Sequence, residues 1–207
     1  MKKLSLLVLL LFFVSFKQDK SLQNSEIKKD TLKTKSFTNF DKKTNKETTE
    51  VLDFFLKNKT DALKHVKYIY YKSEYFNYKE NKKDIPGHMK YSNYFVLNDY
   101  ETTMHQIENI KKDEKIPHLF SYKQIYIDRF EKKYKVNPEE YWQKYEKVFG
   151  KNGFATMSKP LFSKNLRFAY IEISIHCGEL CGEGLHYFLE KKENNWVIIE
   201  KGCDWVS

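Results

Sequence analysis

The most regular hydrophobic pattern in the chain lies in its last third. Between Leu166 and His176 the odd positions carry the aliphatic residues Ala169, Ile171, Ile173 and Ile175, and polar residues stand at 172, 174 and 176. A period of two indicates a strand with one buried face. Further strands are predicted from Leu185 to Lys191 and from Trp196 onward, with a Glu-Asn-Asn turn between them. The segment therefore predicts a three-stranded antiparallel meander.

A helix is predicted directly before this meander. Asn137 is suited to the N-cap, Pro138 to the first helical position and Glu140 to the third position after the cap. Gly150 is suited to the left-handed conformation that ends a helix. The helix has an apolar stripe that we expect to pack on the meander: Tyr141, Trp142, Tyr145, Val148 and Phe149.

Patterns in the first part of the domain are weaker. They predict a short helix over Glu50 to Lys57, a strand from Val66, another strand over Tyr91 to Leu97, an irregular segment over Glu101 to Leu119 and a helix over Ser121 to Tyr134. The tyrosines and phenylalanine between 68 and 78 are interpreted as core and sheet-edge rings, with a stacking platform as the alternative.

These elements together predict one α+β domain over residues 50–207. Its antiparallel sheet ends in the C-terminal meander, and helices pack on one face of the sheet. The specific expectation is a cone-shaped sheet similar to the nuclear-transport-factor-2-like fold, which encloses a pocket.

The N-terminus has the pattern of a secretory signal. Lys2 and Lys3 precede an apolar run from Leu4 to Phe16, which is shorter than the roughly 20 residues that cross a bilayer. Residues 1–16 are therefore predicted as a signal peptide of an exported, periplasmic or secreted protein, with cleavage expected between about Phe16 and Leu22. A short uncleaved anchor is the alternative. No cysteine stands directly after the apolar run, since the first is Cys177, so lipidation is not expected.

Residues 17–49 are predicted to be a flexible polar linker. They contain few large apolar residues, and these show no sustained period. The formal charge of the chain is +9, from 37 basic and 28 acidic residues. Most of this surplus lies in residues 1–49, so the domain is nearly balanced and nucleic acid is not an expected partner. Peripheral contact of the linker with anionic lipid is the weaker alternative.

Candidate chemistry concentrates in the glycine-rich turn between the first two strands of the meander. Its candidate residues are His176, Cys177, Glu179, Cys181, Glu183 and His186. In an exported protein, Cys177 and Cys181 are expected to form a disulfide. The role of Cys203 stays open.

Three other hypotheses use the same turn. A metal site would use His176, Cys177, Cys181 and His186. A thiolate nucleophile would need Cys177 or Cys181 with a neighbouring histidine as base and Glu179 or Glu183 to orient it. Glu172 and Glu183 would form an acid and base pair. Because the usual hydrolase, metalloprotease and nucleotide motifs do not occur, a binding protein is favoured over an enzyme.

The C-terminal region also resembles that of uncharacterised exported and envelope proteins of Bacteroidota. The shared pattern covers about Tyr141 to Ser207 and consists of Trp142-x-x-Tyr145, Phe149-Gly150, Ser158-x-Pro160-x-Phe162, Cys177-Gly-x-x-Cys181-Gly-x-Gly184 and Trp205-Val-Ser. The resemblance implies an exported bacterial protein and no particular activity. The expected function is non-catalytic binding of a small ligand or another envelope protein, without a cofactor. A hydrolase or metal-binding protein is the alternative, and no oligomeric state is predicted.

Overall fold

The computed structural model describes residues 19–58, 63–64, 66–70, 86–110, 115, 122–127 and 138–207, with side chains described from residue 37 onward, except those of residues 97 and 138. The chain divides into two compact units, Met1–Lys42 and Lys43–Ser207. The predicted signal peptide and the predicted cap at Asn137 lie outside the described residues.

The described elements begin with a long helix and end with three long strands. In chain order they are α1 (Asp19–Asn58), β1 (Val66–Tyr70), α2 (Gly87–Tyr91), a 3-10 turn (Leu97–Asp99), α3 (Tyr100–Asn109), β2 (Lys123–Ile125), α4 (Pro138–Phe149), β3 (Gly153–Met157), β4 (Leu161–Phe162), β5 (Phe168–Gly178), β6 (Cys181–Lys192) and β7 (Asn195–Val206). In this part of the chain, no helix is long and apolar enough to cross a membrane.

The strands among the described residues form a single mixed sheet. Its order is β2-β1-β3-β5-β6-β7, and β4 pairs with β5 beside β3. The meander β5-β6-β7 is antiparallel, as predicted. In contrast, β1 is parallel to both β2 and β3, so the prediction of an antiparallel sheet is correct only for its C-terminal part. Parallel neighbours need a long crossover, and α4 lies in the chain between β2 and β3.

Helices cover both faces of the sheet, which corrects the prediction of one covered face. On one face, Phe55 of α1 packs against Tyr187 of β6 with ring centroids 4.9 Å apart. On the other face, residues from α2 to α3 pack on Tyr170 and Phe188, and α4 packs Tyr145 on Phe154. The prediction failed because β5 alternates aliphatic residues with residues that are also covered, such as Ser174, which is 2% exposed.

The predicted flexible linker over residues 17–49 also needs correction, because residues 19–49 belong to α1. The part of α1 in the second unit has a stripe at helical spacing that begins with Thr44 and Thr48 and continues through Val51, Leu52, Phe55 and Leu56, all buried. Lys191 of β6 then binds Glu47 and Glu50 at 2.5 and 2.8 Å. The polar composition hid this stripe, since its first members are threonines.

Two other predictions for the middle of the chain are wrong, and a third is wrong at its start. Residues 91–97 do not form a strand, because Tyr94 and Phe95 instead pack on Phe188. The segment predicted as irregular contains α3, whose buried face includes two threonines that concealed the helical period. The helix predicted from Ser121 is replaced at its start by β2, and its continuation over 128–134 lies outside the described residues.

The helix and the turn predicted around the meander are confirmed, but Val148 of the predicted stripe is 63% exposed, and Trp142 and Tyr145 pack on Phe154 of β3, which is outside the meander. Helix α4 spans Pro138–Phe149, and Gly150 follows it with φ of +78°. The turn between β6 and β7 has positive φ at Glu193 and Asn194, as in the type I′ turns that match the twist of a hairpin. These features orient the long strands that carry the candidate site.

Candidate functional site

The predicted turn is a tight hairpin closed by a disulfide. Gly178 pairs with Cys181, and Glu179 and Leu180 form the exposed turn. Cys177 is disulfide-bonded to Cys181, with their Cα atoms 5.1 Å apart. Neither sulfur is therefore available as a thiolate nucleophile or as a metal ligand. Cys203 is free and exposed on β7.

The structure does not bring the predicted turn residues together into one site. His176 pairs with Gly182, whereas His186 pairs with Glu172, so the two histidines lie on the same face but at different points along the strands. Glu183 pairs with Ile175 and therefore lies on the opposite face from Glu172. The predicted acid and base pair of Glu172 and Glu183 is thus wrong, as is the predicted four-ligand metal set.

His176 instead borders a cavity between the sheet and α4. The cavity has a volume of about 310 Å³. We call it the aromatic cavity, and its described lining residues are Tyr70, Ile127, Tyr141, Trp142, Phe154, Thr156 and His176. Phe154 and Thr156 face it from β3, directly opposite His176 and Ser174. The period-two row that we expected to be the open side of the sheet thus forms one wall of this cavity.

The imidazole of His176 is held between two aromatic rings. It stacks on Phe154 with centroids 4.8 Å apart, and the Trp205 indole lies 6.2 Å away. Its Nε2 atom is buried and has no hydrogen-bond partner among the described residues. Burial lowers the pKa of His176 below its usual value, so the ring is neutral at neutral pH. The wall of the cavity therefore includes a neutral imidazole, one of whose nitrogen atoms is buried without a hydrogen bond to the described residues.

Two glycines make room for this arrangement. A Cβ on Gly153 would lie 2.6 Å from the carbonyl oxygen of His176, so only glycine allows β3 to approach β5 here. A Cβ on Gly184 would collide with the Trp205 indole, which lies directly on this residue. Gly184 was assigned to the turn from the sequence, but in the structure it lies in β6 and makes room for the Trp205 indole.

His186 takes part in a second arrangement, with partners from two other segments. We call His88, His186 and Asp204 the histidine–aspartate cluster. Oδ1 of Asp204 lies 2.6 Å from Nδ1 of His186 and 2.9 Å from Nε2 of His88. The two imidazoles stack with centroids 3.9 Å apart and planes 20° from parallel. Gly202 pairs with His186, and a Cβ there would collide with the imidazole ring.

Sequence reasoning missed most residues of both arrangements. Tyr141 and Trp142 were assigned to the helix core, although they also line the aromatic cavity. His88 and Asp204 gave no signal, because they lie far from His186 in sequence and no local motif links them. The sequence signal that could have located the cavity was the row of polar residues in β5. Only the packing of α4 shows that this row is partly buried.

The chain was also compared with known proteins. It matches no protein-family profile, no curated protein and no solved structure. The geometry of the two arrangements therefore carries the functional conclusion.

Proposed function

We propose that the protein binds a small planar ligand in the aromatic cavity and does not transform it. The observation that carries this proposal is the aromatic cavity itself, whose lining includes His176, a residue whose buried Nε2 atom has no partner among the described residues. An unsatisfied buried polar atom costs about 1–3 kcal/mol. Because Nε2 is buried, the imidazole must turn toward the cavity before a ligand can supply the missing hydrogen bond, and a ligand that does so removes that cost.

The size and walls of the cavity define the ligand class. A volume of about 310 Å³ lies at the lower end of the roughly 300–1,000 Å³ typical of small-molecule sites. Trp142, Tyr141 and Phe154 present ring faces and edges, which favour a flat apolar body. We therefore propose a ligand of one or two fused rings.

The polarity of the walls defines the rest of the ligand. None of the described lining residues carries a formal charge at neutral pH, since His176 is neutral. A charged ligand would lose its hydration without gaining an ion pair. The ligand is therefore uncharged, with one polar group placed to reach His176.

The fold and the location of the protein belong to the same proposal. A sheet with a helix across one end of its inner face supports a cone of the nuclear-transport-factor-2-like type, in which the pocket lies inside the sheet. The disulfide in the hairpin supports an oxidising compartment and hence an exported or envelope protein. The resemblance of the C-terminal region to exported and envelope proteins of Bacteroidota belongs to this proposal and rests on the sequence pattern alone.

Binding of three planar probes tests the function. Benzimidazole, phenol and 4-hydroxybenzamide would be titrated into the full chain and followed by ligand-observed NMR and calorimetry. We expect at least one to bind, and Trp142→Phe to weaken it by about fivefold, since an aromatic contact contributes about 1 kcal/mol. His176→Phe, which removes the hydrogen bond, should weaken it at least as much.

Trp196→Phe is the matched control. Trp196 is buried, with 4% exposure, and packs on Phe162 on the opposite face of the sheet, so this change should leave binding unchanged. Failure of all three probes to bind the folded wild-type protein would contradict the proposal. Equal losses in the Trp142 and Trp196 variants would do so as well.

A further inference from the structure

We propose that the histidine–aspartate cluster is a binding site for a divalent transition-metal ion, with Zn²⁺ as the best-fitting ion. The site is independent of the aromatic cavity and of the ligand proposed there. Its three donors come from α2, β6 and β7, which lie close together only in the folded chain.

The donor atoms are already grouped. Nε2 of His88, Nδ1 of His186 and an oxygen of Asp204 all lie within 4.8 Å of one another. Zinc lies about 2.0–2.2 Å from nitrogen and oxygen donors, so two ligands of a tetrahedral ion are about 3.3 Å apart. The present separations from Asp204 are 2.6 and 2.9 Å. The stacked, nearly parallel imidazoles must also turn until both nitrogen atoms point at one ion, and the exposed side chain of His88 can make that turn.

The chemistry of the donors selects the ion. Two imidazoles and one carboxylate suit zinc, copper and nickel, whereas magnesium and calcium prefer oxygen donors alone. Three protein ligands leave a fourth position for water or for another ligand. The cluster differs from the metal set predicted from the sequence, with which it shares only His186.

One side of the histidine–aspartate cluster is buried, and the other side is open to solvent. The His186 side chain is 7% exposed and its ring lies flat against Gly202, so this ligand is held in place. The His88 side chain is 51% exposed, which gives an ion a route from solvent. A carboxylate that holds the two nitrogen atoms together in the absence of metal also reduces the rearrangement needed on binding.

Zinc uptake tests the site directly. The untagged full chain, in a Cys203→Ser background that removes the only free thiol, would be stripped with chelator and titrated with Zn²⁺ by calorimetry. We expect one Zn²⁺ per chain, confirmed by elemental analysis after dialysis. Co²⁺ in the same site should give the intense visible spectrum of a four-coordinate ion.

Three variants distinguish the cluster from other histidines. His88→Gln and Asp204→Asn should each reduce zinc affinity about 100-fold or more, since even residues that only support metal ligands contribute 10- to 100-fold. His88 is exposed, so its replacement should leave the fold intact. His105→Gln, on α3 and outside the cluster, should bind zinc as the parent does. The proposal would be overturned if the chain bound no stoichiometric zinc, or if both cluster variants took up zinc as the parent does. The cluster would then be only a carboxylate that contacts two imidazoles.

Discussion

At the scale of single residues, His176 departs most from the behaviour expected of a surface strand. Burial lowers its pKa from the usual 6.5, because desolvation disfavours the charged ring. No carboxylate is among the described residues lining the cavity to oppose this effect. His176 is therefore harder to protonate in the folded state than in the unfolded chain.

This difference gives a prediction for the pH dependence of stability. The contribution of His176 is complete above the unfolded pKa of about 6.5 and is lost as pH falls below it, toward the lowered folded value. The free energy of unfolding should thus fall between pH 7.5 and pH 5, as measured by urea denaturation. His176→Gln, which does not titrate, should reduce that fall.

His105→Gln is the control, because His105 lies on α3 outside the cavity, and its pH profile should match the wild type. Identical profiles for the His176 and His105 variants would mean that His176 does not resist protonation.

At the scale of elements, the hairpin between β5 and β6 shows how a short cross-link acts. The disulfide closes a loop of only a few residues next to the exposed turn at Glu179 and Leu180. Replacing Cys177 and Cys181 together by serine should lower the free energy of unfolding by about 1–3 kcal/mol, since short loops lose little entropy on closure. Reductant should lower the stability of the wild type by a similar amount.

Denaturant titration of the oxidised and reduced proteins measures both effects. Cys203→Ser should leave the free energy of unfolding unchanged, because Cys203 is exposed and takes no part in the disulfide. Probe binding in the aromatic cavity should persist in the double serine variant. If reductant left the free energy of unfolding of the wild type unchanged, the disulfide would not stabilise the domain.

The sequence predicted the elements whose signals are local. The alternation in β5 and the cap, stripe and terminal glycine of α4 are each contained within about 15 residues, and both elements are confirmed. Helix α3 and the start of α1 were missed because threonines occupy buried positions. The histidine–aspartate cluster was invisible, since the pairing of β6 with β7 brings Asp204 to His186 and the packing of α2 adds His88.

At the scale of the whole molecule, the second unit contains all the elements of the sheet. It begins at Lys43, before the buried stripe of α1. A chain that starts at Lys43 should therefore keep its cooperative unfolding and a melting temperature close to that of the full chain. A chain that starts after Asn58 lacks Phe55 and its neighbours, and loss of one buried phenylalanine alone costs about 3–5 kcal/mol.

Circular dichroism and calorimetry of the two shortened chains provide the test. The longer fragment should unfold in one transition, and the shorter one should be unfolded or aggregated. Unfolding of the longer fragment at room temperature would mean that residues 1–42 are needed for stability.

The packing of Trp205 directly on Gly184 has a consequence for the fluorescence of the protein. Its indole lies 6.2 Å from the His176 ring and follows Asp204 directly in β7, so a single chromophore adjoins both arrangements. Indole emission changes with nearby charge and with contact with water, and the Trp205 side chain is partly exposed. The chain has only three tryptophans, so replacing the other two leaves one indole, which can be excited selectively over the 15 tyrosines. Because Trp142 lines the aromatic cavity and its replacement weakens binding there, the remaining Trp205 serves as a reporter, without an attached dye, for events at the histidine–aspartate cluster.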